Sequence, residues 1–132
     1  MKEKIKIIAS SSYLPSQSLA FEKKFIWIYD ITIVNDSEHV VQLLNRHWNI
    51  TDITGFVEEV TGPGVVGLQP VIKPGKEFSY TSLCQLSTSQ GTMEGYYEMN
   101  IIENDEEFKA TIPKFVLTSF SDVATAYQGV LH

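Results

Sequence analysis

Phe25-Ile26-Trp27-Ile28-Tyr29-Asp30-Ile31-Thr32-Ile33-Val34 is the stretch whose pattern decides the fold. At period two it puts Phe25, Trp27, Tyr29, Ile31 and Ile33 on one face and Asp30 and Thr32 on the other, as in a long, mostly buried strand. Asn35-Asp36-Ser37 then supplies turn chemistry. Alternation resumes from Val40 to Thr51, with Leu44, Trp48 and Ile50 inward and Asn45, His47 and Asn49 outward, so two antiparallel strands follow.

Further along, Lys73-Pro74-Gly75-Lys76 reads as a type II turn, because proline presets the first central φ and glycine accepts the positive second one. It predicts a hairpin into Glu77–Leu86, where Phe78, Tyr80, Cys84 and Leu86 share a face. Thr92 to Ile102 sets Met93, Gly95, Tyr97, Met99 and Ile101 inward, and Glu103 to Glu107 turns the chain into the alternating Phe108–Ile112. Lys4 to Tyr13 and a weaker run from Gly55 to Thr61 complete seven or eight strands with turn signals at about ten-residue spacing. The one helix candidate is Ser121 to Tyr127, capped by Ser121 and ended by Gly129. Composition agrees: isoleucine, valine and threonine number 34 and aromatics 15 of 132 residues, against five alanines, a bias toward strands. The prediction is an all-β, immunoglobulin- or fibronectin type III-like sandwich of two antiparallel sheets, forming a single domain over residues 1–132. Trp27, Ile31, Trp48, Phe78, Tyr80, Tyr97 and Met99 belong to its core.

Charge and cysteine content narrow the function. Residues 1–24 carry net +3 and residues 25–132 net −9, and there is one arginine in the chain. A phosphate backbone is repelled by such a surface, so nucleic acid is not an expected partner. No apolar run is long enough to insert in a membrane, and the amino-terminal run is too short and interrupted for a signal peptide. The lone Cys84 excludes an internal disulfide and a CxxC site, and a cytoplasmic location is expected.

Gly62-Pro63-Gly64-Val65-Val66-Gly67 matches the GxGxxG pattern of dinucleotide-binding folds. Pro70 and Pro74 follow too soon for the helix that would hold a pyrophosphate, and no Gly-Lys-Ser/Thr ending makes a P-loop. Exposed amides of such a loop can still form an anion nest, helped by Lys73 and Lys76 and opposed by Glu58, Glu59 and Glu77. The alternative is a structural loop. Val65 and Val66, adjacent on an extended backbone, should point to opposite sides, one to the core and one to a partner, the alternative being that both pack inward under a bent loop.

The same loop, continued as Leu68-Gln69-Pro70-Val71-Ile72-Lys73-Pro74-Gly75-Lys76-Glu77-Phe78-Ser79-Tyr80-Thr81-Ser82, closely resembles the hallmark segment of the bacterial ApaG family. Val41-Gln42-Leu43-Leu44-Asn45-Arg46-His47-Trp48 resembles the strand ahead of it, and Gly91-Thr92-Met93-Glu94-Gly95-Tyr96-Tyr97-Glu98-Met99 the later Gly-x-Met-x-Gly-x-Tyr block. The resemblance spans roughly residues 4 to 132, including the Leu131-His132 ending. It departs at Ser119–Tyr127, which looks longer than the family's segment and lacks its proline. The resemblance implies a fibronectin-type sandwich. It further implies a link to cobalt and magnesium efflux and to diadenosine-polyphosphate metabolism, without an assigned reaction, and a likeness to protein-recognition domains of eukaryotic F-box proteins.

Catalytic chemistry is thin. His39, His47 and His132 show no metal-ligand spacing, no serine sits on a nucleophile elbow, and Cys84 shares the apolar face of its strand. Glu103-Asn104-Asp105-Glu106-Glu107 lacks the glycine of a calcium loop and reads as a solvated tip. Arg46 is the odd residue, because alternation puts it beside Leu44 and Trp48, where a charge needs a partner; stacking on Trp48 with a carboxylate is expected. No catalytic residue, metal site or cofactor is therefore assigned. Two functions remain: a non-catalytic module binding a ligand or protein partner, and a site, with or without an enzymatic reaction, for a phosphate-bearing small molecule such as a nucleotide or polyphosphate at Gly62, Gly64, Val65, Val66, Gly67, Lys73 and Lys76. Homo-oligomerisation is left open.

Overall fold

Ten strands build two sheets in the computed structural model, which describes residues 4–119, 123–127 and 130–131. They are β1 (Ile5–Tyr13), β2 (Phe25–Asn35), β3 (Val41–Asp52), β4 (Val57–Pro63), β5 (Val71–Ile72), β6 (Glu77–Leu86), β7 (Gln90–Ile101), β8 (Glu106–Thr118), β9 (Val123–Tyr127) and β10 (Val130–Leu131). One sheet has the order β10-β9-β1-β2-β6 and the other β4-β3-β7-β8, with the short β5 also on β3. All strand pairs are antiparallel. This is the expected immunoglobulin- or fibronectin type III-like sandwich. Among the described residues no helix is long and apolar enough to cross a membrane.

Alternation drives the core as it should. The inward residues of β2 (Trp27, Tyr29, Ile31 and Ile33) meet those of β7 (Met93, Tyr97, Met99 and Ile101), and all are buried. Phe78 is only partly buried but packs against this cluster. Trp48 sits at the centre, edge-on to Tyr29, Tyr97 and Phe115 at 5.6, 6.5 and 6.0 Å. Apolar burial of this kind is the main favourable term in folding.

Several connections differ from the expectation. The strands joined by Asn35-Asp36-Ser37 are not neighbours: β2 and β3 belong to opposite sheets. Buried Asn35 makes the crossing stable. Its Nδ2 donates to the carbonyls of His39 (2.8 Å) and Ile72 (2.9 Å), and its Oδ1 accepts from the amide and hydroxyl of Ser37 (2.9 and 2.6 Å). The Lys73–Lys76 turn forms as read, with Gly75 at φ +75° and Lys76 N donating to Lys73 O at 3.0 Å. It too crosses between sheets, so β5 and β6 are not a hairpin. The helix candidate Ser121–Tyr127 is a correction: Val123–Tyr127 is a strand whose backbone pairs with β1 from Ile8 to Ser12 and closes that strand's outer side. Ser121 and Gly129 lie outside the described residues.

In β3 the pairing register shifts between Leu43 and Asn45. This bulge switches the faces, so Val41 and Leu43 are buried before it and Trp48 after it, while the predicted inward Leu44 is only half-buried. Arg46 therefore enters the interior edge of the sandwich directly opposite Tyr97.

Candidate functional site

The glycine motif starts inside a strand. Gly62 and Pro63 end β4, paired with Arg46 and Asn45 of β3. A Cβ on Gly62 would lie 2.9 Å from Nη2 of Arg46, so a glycine there leaves room for the guanidinium. That side chain donates from Nη1 to the carbonyls of Pro63 (2.9 Å) and Gly64 (3.0 Å). The expected stacking on Trp48 with a carboxylate is thus corrected: among the described residues the partners of Arg46 are loop carbonyls, and it supports the loop from beneath.

Gly64 has φ +60°, and a Cβ there would meet Leu68 O at 2.1 Å, which no side chain tolerates. Beyond it the chain makes a two-residue hairpin. Val65 N donates to Leu68 O and Leu68 N to Val65 O, both at 2.8 Å, around Val66 (φ +43°) and Gly67 (φ +81°). Positive φ at both central positions is a type I′ turn, which favours Asn-Gly and strains a β-branched residue. Val65 is buried (1% exposed) and Val66 faces out (54%). The predicted division of the valines is present, but a tight turn rather than an extended backbone produces it.

Geometry separates the lysines from this loop. Lys73 and Lys76 are exposed on the turn bonded to Asn35, where Asn35 N donates to Lys76 O at 2.9 Å. The hairpin instead covers a cleft lined by Tyr29 and Ser82, which pair across β2 and β6. Tyr29 and Asn35 are six residues apart on β2, roughly 20 Å at the usual strand rise. Three loop amides are also engaged: Gly64 N donates to Leu44 O, and those of Val65 and Leu68 close the hairpin.

The cleft under the hairpin has a volume of about 220 Å³ and is lined by Tyr29, Arg46, Val65, Val66, Gly67, Tyr80 and Ser82. At its floor the hydroxyls of Tyr80 and Tyr97 lie 2.5 Å apart. Burial pushes the phenols of Tyr29, Tyr80 and Tyr97 up, and the Arg46 charge opposes this only in part. Sequence reasoning passed over these tyrosines because their inward spacing marks them as core. Burial likewise pushes the Cys84 thiol up to about 12, which keeps it protonated and a poor nucleophile.

Elsewhere the polar groups stay apart. His47 Nε2 lies 2.9 Å from Oε1 of Glu98 and its ring stacks on Tyr96 at 4.4 Å, so its outward position is structured rather than simply solvated. The bond from His47, with help from Asn45, lowers the Glu98 carboxyl. His39 lies 3.4 Å from Glu103 at another end of the sandwich. His132 lies outside the described residues. Among the described residues no three His, Cys, Asp or Glu side chains are grouped to hold a metal ion.

A motif that resembles a dinucleotide fingerprint is therefore, in this fold, a hairpin seated on an arginine. The family model of the ApaG domain matches residues 15–101, which include this hairpin. The chain belongs to the ApaG family. It is 49% identical over 115 residues to Protein ApaG of Beijerinckia indica, covering 87% of this chain and 88% of that one. It is 50% identical, over the same length and shares, to Protein ApaG of Methylocella silvestris, and 47% identical to that of Agrobacterium fabrum. The crystal structure of the ApaA protein of Bordetella pertussis superposes with a TM-score of 0.83 at 39% identity, covering 86% of this chain and 92% of that one. A second X-ray structure gives 0.84 at 39% identity, with 89% of each chain covered. The ApaG sandwich is thus shared, and the names of these relatives state no reaction.

Proposed function

We propose that this ApaG domain is a non-catalytic binding module of the cytoplasm that docks a protein partner on the outward side of the glycine hairpin. The observation that carries this reading is Val66. A β-branched residue at φ +43° is strained, and the fold keeps it exposed where asparagine would fit better. Leu68, 53% exposed at the closing position of the same turn, adds apolar surface beside it. Apolar side chains on a rigid turn are suited to contact a partner's apolar patch. The ionisable groups near the hairpin are held protonated or engaged with carbonyls, which supports binding over acid–base chemistry. On this reading, a role in cobalt or magnesium homeostasis is exerted through the partner. The geometry gives less support to a phosphate held by the loop amides and the two lysines, since three of those amides are engaged and the lysines lie at the far end of the strands.

The test is affinity capture from native cytosol with the wild-type chain and Val66→Asn. The variant is expected to fold at least as stably yet lose captured partner by about tenfold, the equivalent of 1.4 kcal/mol of contact. Undiminished capture would overturn the reading.

A further inference from the structure

The polar groups around the cleft are unbalanced toward donors. Arg46 uses Nη1 on two carbonyls, which leaves its other N–H groups free, and among the described residues no carboxylate lies within ion-pair distance of it. The Tyr80–Tyr97 pair consumes one of two phenolic protons. Behind the cleft, Trp48, packed edge-on against the lining Tyr29 but not itself a lining residue, has a buried indole N–H with no hydrogen-bond partner. Buried donors without acceptors are expensive, and an unbalanced guanidinium at the edge of an aromatic core is more so. The two loop carbonyls already accept from Arg46. Ser82 neighbours Tyr29 across β2 and β6 and carries no charge, and the raised phenols remain neutral near pH 7, so nothing lining the cleft supplies a negative charge.

We propose that the cleft formed by Tyr29, Arg46, Tyr80 and Ser82 beneath Val66 and Gly67 is a binding site for a carboxylate group. The free edge of the guanidinium meets one or both carboxylate oxygens, and the tyrosine and serine hydroxyls complete the acceptor's shell. Charge selects a monoanion. The site holds one guanidinium in a chain of net charge −6. A phosphate dianion would leave surplus negative charge beside that single cation, and Lys73 and Lys76 are too distant to offset it. The volume of about 220 Å³ admits a carboxylate on a short stem, either a free small acid or the end of a peptide chain.

This inference concerns the same hairpin as the proposed docking surface but requires no partner, so the two fail separately. The experiment is a two-dimensional NMR titration of the full, isotope-labelled chain at pH 7 and constant ionic strength. The probes are acetate, inorganic phosphate, and an N-acetylated dipeptide with a free or an amidated carboxyl end. Acetate is expected to give saturable shifts at the Arg46 side-chain N–H and the amides of Val66 and Gly67. Arg46→Lys should weaken acetate roughly tenfold, because the planar fork is lost although the charge is kept. Ser82→Ala, which leaves the loop's support in place, should weaken it roughly threefold by removing one neutral hydrogen bond. A free-ended dipeptide that binds more tightly than acetate, while its amide does not bind, assigns the carboxylate to a chain terminus; equal binding of acetate and dipeptide assigns it to a small acid. Shifts that do not saturate, tighter binding of phosphate than of acetate, or acetate binding unchanged in both variants would overturn the proposal.

Discussion

Two residues of the hairpin pull stability in opposite directions. Gly64 is held at φ +60° with Leu68 O where a side chain would begin, so Gly64→Ala combines a left-handed penalty with a backbone clash. It is expected to cost at least about 2 kcal/mol in urea unfolding. Val66 also sits in the left-handed region, but with its side chain exposed and nothing to clash. Val66→Asn should therefore raise stability by about 1 kcal/mol, since Asn-Gly suits the turn and valine does not. A neutral or destabilising Val66→Asn would show that the strain is absent. If the stabilised variant also loses its partner, the valine is retained at the expense of stability, as at other functional sites.

At the scale of elements, the packing of β3 on β7 is the most sensitive contact. A Cβ on Gly95 would approach His47 O to 1.9 Å, at the point where the other side of β7 shifts register against β8 between Met93 and Gly95. Gly95→Ala should separate the strands and destabilise the domain by more than about 2 kcal/mol, read as a fall in the urea midpoint. Trp48→Ala, which empties the centre of the aromatic cluster, should cost roughly 3 to 5 kcal/mol; a near-neutral result would contradict its placement. The faces of β2 and β7 were legible because their alternation runs unbroken through Trp27, Ile31, Tyr97 and Met99. The face of Leu44 was not, because a bulge leaves no mark in the order of side chains. Nor does turn chemistry at Asn35 or Lys73–Lys76 say whether the chain turns within a sheet or crosses to the other. Arg46 could be singled out as a charge on an inward face. Its partners are backbone carbonyls, which carry no residue identity, and so were hidden. The cleft joins β2, β3, β6 and the hairpin through contacts distant in sequence, and the lysines close by in sequence lie far off in space.

For the whole molecule, stability should depend strongly on alkaline pH. Burial holds Cys84 at about 12 and raises Tyr29, Tyr80 and Tyr97, so all four stay protonated in the native state. In the unfolded chain the thiol ionises near 9.0 and the phenols near 10.0. Above those values the unfolded state binds fewer protons than the native one, and stability falls as pH rises. The slope approaches about 1.4 kcal/mol per pH unit for each group ionised only when unfolded. Urea midpoints should hold level through neutral pH and decline beyond 9, more steeply past 10, with Cys84→Ala delaying the onset; a level profile to pH 11 would contradict the burial of these groups. The same molecule leaves β4 and β6 as sheet edges whose outer backbone groups are unpaired within the described residues. An open edge is a template for a neighbouring molecule, and self-association is its hazard. On β4 the exposed Glu58 and Glu59 and the terminal Pro63 oppose such growth by repulsion and by a missing donor. On β6 the outward side is Glu77, Ser79, Thr81, Leu83 and Gln85, with Leu83 56% exposed as the one apolar member. The colloidal behaviour of the domain therefore rests on a few edge carboxylates, and removing their charge, as in Glu58→Gln with Glu59→Gln, would turn the domain toward edge-to-edge aggregation.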